Sequence, residues 1–455
     1  MIVFRRRLVF WLIKAYIKKS GKTIMLSFLL GLCIFAALLF ASRYSSILLP
    51  ASKKVSIGLV GAYTRDDLPP IVLDKLSHGL TRIEADNSVQ PDIAASWEIQ
   101  DNGKTYIFHL KPNMYFSDGS LVTAQNISYD FSDVSIERPN ISTLVFKLKD
   151  AYAPFPVTVS KPIFKKGFIG VGEYQISNIE LNGSFIQSLS LSSVKNRFNV
   201  IRFQFYPRED TLKMAYVFGE ISHANGLNDL TIQNTSLSKF PNSQVEKNLN
   251  TDKLVTLFFN NNDPVLSDKK TRLALTYSMP QSYPEGQKAY LPYPSSSVFY
   301  NKDIESKDQD YTHAKLLLNS ADNASSSAKT TPTILTITTL KKYRKTADQI
   351  ANSWKNIGID TKIEETDTVP TKYQVFLGEF NLSKDPDQYT LWHTGQSNNI
   401  TNYKNLRIDK LLEDGRKITD IDERKKIYAD FQKYLLDDAP AYFLYFPIEY
   451  NVVRK

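Results

Sequence analysis

The feature that most constrains this chain is an uninterrupted apolar run from Ile24 to Ala41, which follows a basic N-terminal segment. A helix of that length rises about 27 Å, enough to cross the hydrocarbon core of a bilayer. Residues 1–54 contain ten Lys and Arg and no acidic residue, which places the N-terminus in the cytoplasm and everything after Arg43 outside. We therefore predict a single-pass cell-membrane protein with an extracytoplasmic body. Its N-terminal parts are a basic cytoplasmic or juxtamembrane segment over 1–22, a transmembrane anchor over 23–42 and a linker over 43–53.

Two alternatives concern this N-terminal region. A cleaved signal peptide also carries an apolar run behind basic residues, but here the basic region extends to Lys22, and Leu39 stands where the cleavage site requires a small side chain. Residues 2–17 mix apolar and basic side chains, which suits either an interfacial helix beneath the inner leaflet or a disordered basic arm. The sequence favours the uncleaved anchor and leaves the conformation of residues 2–17 open.

Charge and cysteine content restrict the chemistry of the body. The ten N-terminal cations account for the whole formal net charge of +9, so the remaining chain is close to neutral and does not suggest a nucleic-acid partner. Cys33, within the apolar run, is the only cysteine, which leaves no intrachain disulfide. The histidines never fall at metal-ligand spacing, and the sequence has no nucleophile elbow. These absences argue against an enzyme and against a metal or another cofactor.

Residues 102–131 carry the clearest local signals. Large apolar side chains alternate along Thr105 to Leu110 with the period of a half-buried strand. Asn102-Gly103 before this strand marks a tight turn. Thr123 is placed to cap a helix that extends to Phe131. The segment therefore predicts a hairpin followed by a short helix.

The C-terminal half has the pattern of an α/β lobe. Apolar residues recur at helical spacing over Thr346 to Asn356, Gly358 ends this helix, and a strand follows over Ile359 to Glu364. A second unit repeats this order, with a helix over Asp422 to Leu436 and a strand over Ala441 to Phe446. Alternating helices and strands are typical of α/β folds.

Many segments of the chain resemble segments of the extracellular solute-binding proteins of family 5, and they occur in the same order as in that family. Proteins of this family serve oligopeptide, dipeptide and nickel ABC importers. The resemblance covers about residues 54 to 446. Its main blocks are Gly79-Leu80-Thr81-Arg82, Pro91-Asp92-Ile93-Ala94-Ala95-Ser96-Trp97, Phe116-Ser117-Asp118-Gly119, Gly170-Val171-Gly172-Glu173-Tyr174, Arg272-Leu273-Ala274-Leu275 and Asp385-Pro386-Asp387.

The resemblance implies an α/β, two-lobed periplasmic-binding-protein-like fold of type II, with an extra subdomain in the first lobe and the ligand enclosed between the lobes. Closure would be a hinge motion, with hinge strands near Leu257 to Asn260 and Gly378 to Phe380. The implied domains are lobe I over 54–77 and 170–263, an inserted subdomain over 78–169, lobe II over 264–446 and a C-terminal tail over 447–455.

Two departures from the family pattern affect the ligand. Peptide binders of the family have tryptophan after the glycine that corresponds to Gly378, and an aspartate that pairs with the peptide's amino group. This chain has Glu379 and Leu382 there, and a charge-assisted contact of that kind contributes about 1.5–3 kcal/mol. Glu379 or Asp385 could replace the missing aspartate, or either could be a polar turn residue. In addition, the chain stops at Lys455 without the family's usual final return through the first lobe.

The predicted function is a membrane-anchored, extracytoplasmic substrate-binding protein of an ABC importer. It would act as a monomer, bind peptides or other small solutes and meet the transmembrane subunits of an ABC permease. Two alternatives stay open: a sensory or scaffold module with the same fold but no transport role, motivated by the basic N-terminal segment, and a membrane-anchored hydrolase. The candidate ligand-binding residues are Tyr63, Thr64, Asn260, Glu379, Phe380, Asn381, Asp385, Trp392 and His393.

Overall fold

A computed structural model of the chain describes residues 10–11, 14–16, 18–23, 25–36, 54–322 and 334–455. Near the N-terminus, helix α1 covers Lys18–Ala36 and is long and apolar enough to cross a membrane. Its apolar window is not buried against the rest of the chain. The end of the predicted anchor, the predicted linker over 43–53 and residues 1–9 of the predicted basic segment lie outside the described residues.

The strands of the body follow one another in this order: β1 (Lys54–Val60), β2 (Thr81–Ile83), β3 (Val89–Pro91), β4 (Ala94–Gln100), β5 (Thr105–Leu110), β6 (Val134–Asn140), β7 (Thr143–Leu148), β8 (Tyr174–Asn182), β9 (Phe185–Ser193), β10 (Val200–Tyr206), β11 (His223–Leu227), β12 (Thr231–Ile232), β13 (Thr235–Ser236), β14 (Ser243–Leu249), β15 (Lys253–Phe259), β16 (Gly286–Lys288), β17 (Ile334–Leu340), β18 (Asp360–Thr366), β19 (Val375–Asn381) and β20 (Ala441–Arg454).

The helices of the body are α2 (Pro70–Leu76), α3 (Phe155–Thr158), α4 (Glu209–Phe218), α5 (Lys269–Tyr277), α6 (Tyr311–Asp322), α7 (Arg344–Lys355), α8 (Tyr389–Trp392), α9 (Leu406–Lys417) and α10 (Ile421–Asp438).

A 12-stranded sheet runs through both lobes in the order β18-β17-β19-β15-β20-β11-β1-β10-β9-β8, and β14 and β16 also pair with β20. In the first lobe, β1 lies parallel to both β10 and β11. Helix α4 connects β10 to β11 and buries Leu212 and Tyr216. On the other side, α2 buries Val72 and Leu76. The two helices give this lobe an apolar core on each side of its sheet.

The inserted subdomain is built on the four-stranded sheet β4-β5-β7-β6. Its core includes Tyr106, Phe108 and Phe146, so the alternating pattern predicted for β5 is confirmed. The predicted turn is confirmed as well, because Gly103 has φ +88, a conformation that glycine adopts without steric cost. The predicted helix after Thr123 is wrong. A single 3-10 turn ends before Ile127, whose backbone is extended.

In the second lobe, β17 lies parallel to both β18 and β19. Helices α5 to α7 cover one face of this sheet, with Trp354 in the core, and α8 to α10 cover the other, with Tyr428 and Phe431 in the core. Helix α7, strand β18, helix α10 and strand β20 confirm the helix and strand pairs predicted from the apolar spacing.

The C-terminus departs from the prediction of a tail over 447–455. Residues 441–445 of β20 pair with β15 in the second lobe, whereas residues 448–454 pair with β11 and β14 in the first lobe. The chain therefore does return through the first lobe, and it does so because the apolar pattern of Ala441 to Phe446 continues through the buried Val452. Strand β15, which was predicted to close lobe I, pairs with β19 and β20.

Candidate functional site

Two short segments connect the lobes side by side. One is residues 250–252 between β14 and β15, and the other is the middle of β20 at Pro447. The backbone N–H of Asn250 donates to the carbonyl of Pro447 at 2.9 Å. The carboxylate of Glu449 accepts from the Asn250 side chain at 2.7 Å and from Lys253 Nζ at 3.1 Å. These contacts join the two connecting segments into one unit.

A polar network adjoins this unit at the carboxyl ends of β17 and β19, and α/β sheets bind ligands at such ends. Glu379, at the end of β19, lies 2.6 Å from Lys342 Nζ and accepts a hydrogen bond from the hydroxyl of Tyr343. Burial alone raises the pKa of Glu379, but the hydrogen bonds from Lys342 and Tyr343 and the charge of Lys253 leave it below its ordinary value. The carboxylate is therefore ionised at neutral pH and already has cationic partners.

Tyr63 approaches the same network from the first lobe. Its ring packs against Phe205 at 5.0 Å between centroids, and its hydroxyl donates to the Val60 carbonyl at 3.2 Å. Burial and the charge of Asp67 raise its pKa, whereas the charge of Lys253 lowers it. Tyr63 and Glu379 thus face Lys253 from different lobes. Thr64 pairs with Asp67 in a tight turn beside them.

Asn260 lies away from this network, at the opposite end of β15. Asn260 lies seven positions after Lys253 along the extended strand, a distance of roughly 23 Å. Its side chain donates to the Tyr373 carbonyl at 2.9 Å and accepts from Asn402 at 3.0 Å. These bonds fasten the loops at the far end of the second lobe.

Phe380 and Trp392 meet in a cavity of about 270 Å³ inside the second lobe. Phe380 packs against Phe258 at 6.0 Å between ring centroids. The indole of Trp392 is buried and donates to Gln388 at 2.8 Å. Asn381, the next residue of β19, is exposed and pairs in register with Lys253. The structure therefore brings Glu379, Phe380 and Trp392 to one cavity.

Asp385 and His393 are held by neighbours within the second lobe. Asp385 is 5% exposed and makes a bidentate ion pair with Arg424, at 2.8 and 3.1 Å. This pairing leaves no free carboxylate for a ligand's amino group. His393 stacks on Tyr389 at 4.1 Å between ring centroids and lies 3.3 Å from Glu413.

A cavity of about 680 Å³ lies where the inserted subdomain meets the second lobe. Its walls include Tyr152 of the subdomain and Tyr389 and Arg416 of the second lobe. The Arg416 guanidinium lies 4.5 Å from the Tyr389 ring centre and 5.3 Å from that of Tyr152, and Nε is 3.0 Å from Asp387. The Ala153 N–H donates to the Arg416 carbonyl at 2.7 Å. We call this region the seam cavity.

Sequence reasoning missed the cations of both regions. Lys253, Lys342 and Arg416 lie in no motif, and their partners are distant along the chain. One signal was available for Lys342, because it follows the carboxyl end of a parallel strand. Within the described ranges, no group of three or more His, Cys, Asp and Glu side chains is placed to hold a metal ion.

Comparison with known proteins identifies the family. The family model "Bacterial extracellular solute-binding proteins, family 5 Middle" matches residues 88–134 and 126–402, more than half of the chain. The chain belongs to this family. The family 5 protein described here is therefore a solute-binding protein, and its family consists of binding proteins rather than enzymes.

Individual relatives agree with this assignment. The family 5 protein is 23% identical over 524 residues to the oligopeptide-binding protein AppA of Bacillus subtilis, covering 94% of each chain. In fold it is similar to the ABC transporter substrate-binding protein CtaP of Listeria monocytogenes, with a TM-score of 0.74, 20% identity, and 89% and 94% of the two chains covered. It is also similar to NikZ of Campylobacter jejuni in complex with Ni(L-His), with a TM-score of 0.71, 20% identity and the same coverage. The predicted two-lobed α/β fold is confirmed.

Proposed function

We propose that this protein is a membrane-anchored receptor that captures a peptide or another small solute between its lobes and passes it to an ABC permease. One observation carries the proposal. The seam cavity of about 680 Å³ is lined by both the inserted subdomain and the second lobe, and cavities of 300–1,000 Å³ are typical of small-molecule sites. A solute bound there would hold the lobes together and shift the population toward the closed state.

Of the predicted residues, Tyr63, Glu379 and Phe380 are the proposed solute contacts near the lobe connections. Lys253 and Arg416 are added as proposed contacts, since Lys253 supplies positive charge near Glu379 and Arg416 supplies it in the seam cavity. In this proposal the solute is bound and released without a covalent step. The proposal is supported by the carboxylates of Glu379 and Asp385, which are already paired with Lys342 and Arg424. Helix α1 is the proposed anchor, and it would raise the local concentration of receptor at the permease.

The peptide version of this proposal needs an amino-group contact that the second lobe does not offer at Leu382. The proposed ligands therefore include solutes without a free amino terminus. The relatives that bind oligopeptides or Ni(L-His) supply the first compounds for testing.

The test is a thermal-shift screen of the full chain in lipid nanodiscs. The pools are free peptides, N-acetylated peptides and nickel with L-histidine. A ligand at 100 times its Kd stabilises the folded state by about 2.7 kcal/mol, so a rise of a few degrees in Tm is expected for the matching pool. Mass spectrometry of small molecules released from the purified protein identifies any solute that copurifies. A protein without any such shift, and without a copurified solute, would contradict the proposal.

A further inference from the structure

We propose that the end of the first lobe opposite the solute site lies on an anionic membrane surface. This inference depends on the proposed function, in which α1 anchors the protein. The end is made by the loop between β9 and β10, by the start of β1, by the end of α4 and by the end of β20. We call it the basal surface. It combines exposed apolar side chains with cations, the composition of surfaces that lie at a bilayer interface.

Strand pairing brings these segments together. Lys54, the first residue of β1, pairs with Val200 of β10, directly after the loop 194–199. Helix α4 runs back along the strands and ends at Phe218, from which the chain continues to Ser222, whose N–H donates to the Ser56 carbonyl at 3.0 Å. The N–H of Arg454 at the end of β20 donates in turn to the Ser222 carbonyl at 2.8 Å.

The apolar side chains of the basal surface are unusually exposed. Phe218 is 69% exposed, Phe198 is 54% exposed and Val194 is 41% exposed. A phenylalanine side chain that stays exposed to water lacks the roughly 1.5–3 kcal/mol of stabilisation that full burial would provide. Several exposed apolar side chains at one end of a lobe suit a membrane or protein contact.

The charge of the basal surface is positive. Its exposed cations are Lys54, Lys195, Arg197, Arg454 and Lys455. Among the described residues, none of these five has a carboxylate within ion-pair distance. The acidic residues near these segments include Glu173, whose carbonyl accepts the Val194 N–H, Glu220, whose carbonyl accepts the Ser56 hydroxyl, and Glu246, which pairs with Asn451 of β20. Each Lys or Arg near an anionic leaflet contributes about 1 kcal/mol of attraction.

The connection of the body to helix α1 favours the membrane as the partner of the basal surface. Lys54 is the point at which the body begins, and residues 37–53 connect it to the end of α1 at Ala36. A chain of that length spans at most roughly 60 Å when fully extended. The anchor therefore limits Lys54 to roughly 60 Å from the end of α1, and when the basal surface lies on the bilayer, the carboxyl ends of β1 and β10, with Tyr63, face away from it. In this resting orientation the solute site is open to the extracytoplasmic space for capture, and the basal contact must break before the site can meet the permease.

The experiment uses the full chain in nanodiscs with a fluorescent NBD label on one cysteine. Since Cys33 is the only cysteine, Cys33→Ser supplies the background. Val194→Cys reports on the basal surface. Phe185→Cys is the matched control, because Phe185 is 49% exposed on the same lobe but lies beside Tyr63, whose carbonyl accepts the Ile186 N–H at 2.8 Å. Discs contain phosphatidylcholine alone or with phosphatidylglycerol, and a lipid-borne quencher.

We expect the label at position 194 to shift to the blue and to be quenched in anionic discs, and the label at 185 to stay water-exposed. Changing Lys195 and Arg197 to glutamine should reduce the lipid-contacting fraction at 194 on the order of fivefold per cation. Equal water exposure at 194 and 185 in both lipids overturns the proposal. So does a contact at 194 that appears only when a permease is added, which would assign the surface to a protein partner.

Retention of the protein in the discs reports on the anchor independently of the label. A full chain that is not retained overturns the anchor and the basal contact together. A retained chain with no label response overturns the basal contact alone. Solute binding is read from thermal shifts of the same samples, so its failure is distinguishable from both.

Discussion

Lys253 Nζ lies 3.1 Å from Glu449 Oε1, and this pair joins the two segments on which the lobes turn. Lys253 begins β15, which enters the second lobe, and Glu449 lies in the half of β20 that has returned to the first. Burial lowers the pKa of Lys253, but the charges of Glu449 and Glu379 together raise it above its ordinary value. The pair is therefore charged at neutral pH and restrains the connection between the lobes.

Replacing Glu449 with glutamine should lower the free energy of unfolding by about 1 kcal/mol, because the substitution removes a partly buried charge pair and weakens the bond from Asn250. Urea unfolding measures the change. Glu364→Gln is the matched control, since its pair with Lys362 is largely exposed, and exposed pairs contribute less than about 1 kcal/mol. Equal effects of the two substitutions would contradict a special role for the hinge pair.

Asp385→Asn should destabilise the protein by about 3 kcal/mol, because it leaves the buried guanidinium of Arg424 without its ionic partner. Both side chains are only 6% exposed. The matched control is Asp414→Asn, which removes an exposed pair with Lys410 on α9 and should change stability by less than about 0.5 kcal/mol. A stable Asp385→Asn variant with impaired solute binding would instead restore Asp385 as a ligand contact.

Glu379 should make stability depend on pH in the acidic range. Its folded-state pKa lies below the ordinary value of 4.5, so its contribution is fully present above about pH 4.5 and is lost as the pH falls through the folded-state pKa. Urea unfolding of the wild type and of Glu379→Gln should therefore differ at pH 6, and the difference should shrink below pH 4.5. A difference that grows on acidification would reverse the assigned sign.

Arg416→Gln should open the solute-free protein, because it removes the cation that packs between Tyr152 of the subdomain and Tyr389 of the second lobe. Each cation–π contact contributes roughly 0.5–1 kcal/mol when exposed. Small-angle X-ray scattering should show a larger radius of gyration. Arg407→Gln is the control, since Arg407 lies 3.5 Å from the ring centre of Tyr434 within the second lobe alone. An unchanged radius in Arg416→Gln would show that the seam contact does not hold the lobes.

Deleting residues 447–455 should prevent the first lobe from folding. The deletion removes the strand between β11 and β14, including Val452, which is fully buried. Near-ultraviolet circular dichroism and the urea unfolding slope should both report lost tertiary structure. Deleting Lys455 alone, an exposed residue, is the control and should leave both signals unchanged. A truncated chain with wild-type unfolding would contradict the role of β20 in the first lobe.

Local patterns in the sequence predicted local structure well. Helix α7 and strand β18 follow from apolar spacing and from Gly358, because their periodicity is set by neighbours a few residues away. The helix after Thr123 failed for a tertiary reason. Asn126 caps the turn with its side chain bonded to the Thr123 N–H, and the chain then extends so that Ile127 enters the subdomain core.

The candidate site was less accessible to sequence reasoning, since its contacts are long-range. Lys253 and Glu449 are 196 positions apart, and Asp385 and Arg424 are 39 apart. Neither separation carries a local signature. The sequence therefore left Asp385 as either a replacement for the missing aspartate or a polar turn residue, whereas the fold pairs it with the buried guanidinium of Arg424.

The path of β20 has a consequence for how the protein is made. The first lobe starts at Lys54, early in synthesis, yet its sheet is completed by residues 448–454, which follow the second lobe along the chain. The strands that begin at Lys54 are synthesised first, and β11 and β14 gain their shared neighbour only after residues 264–446 have been made. Such pairings between distant parts of a chain form slowly. Until then the edges of β11 and β14 that face this neighbour stay unpaired, and unpaired strand edges promote aggregation.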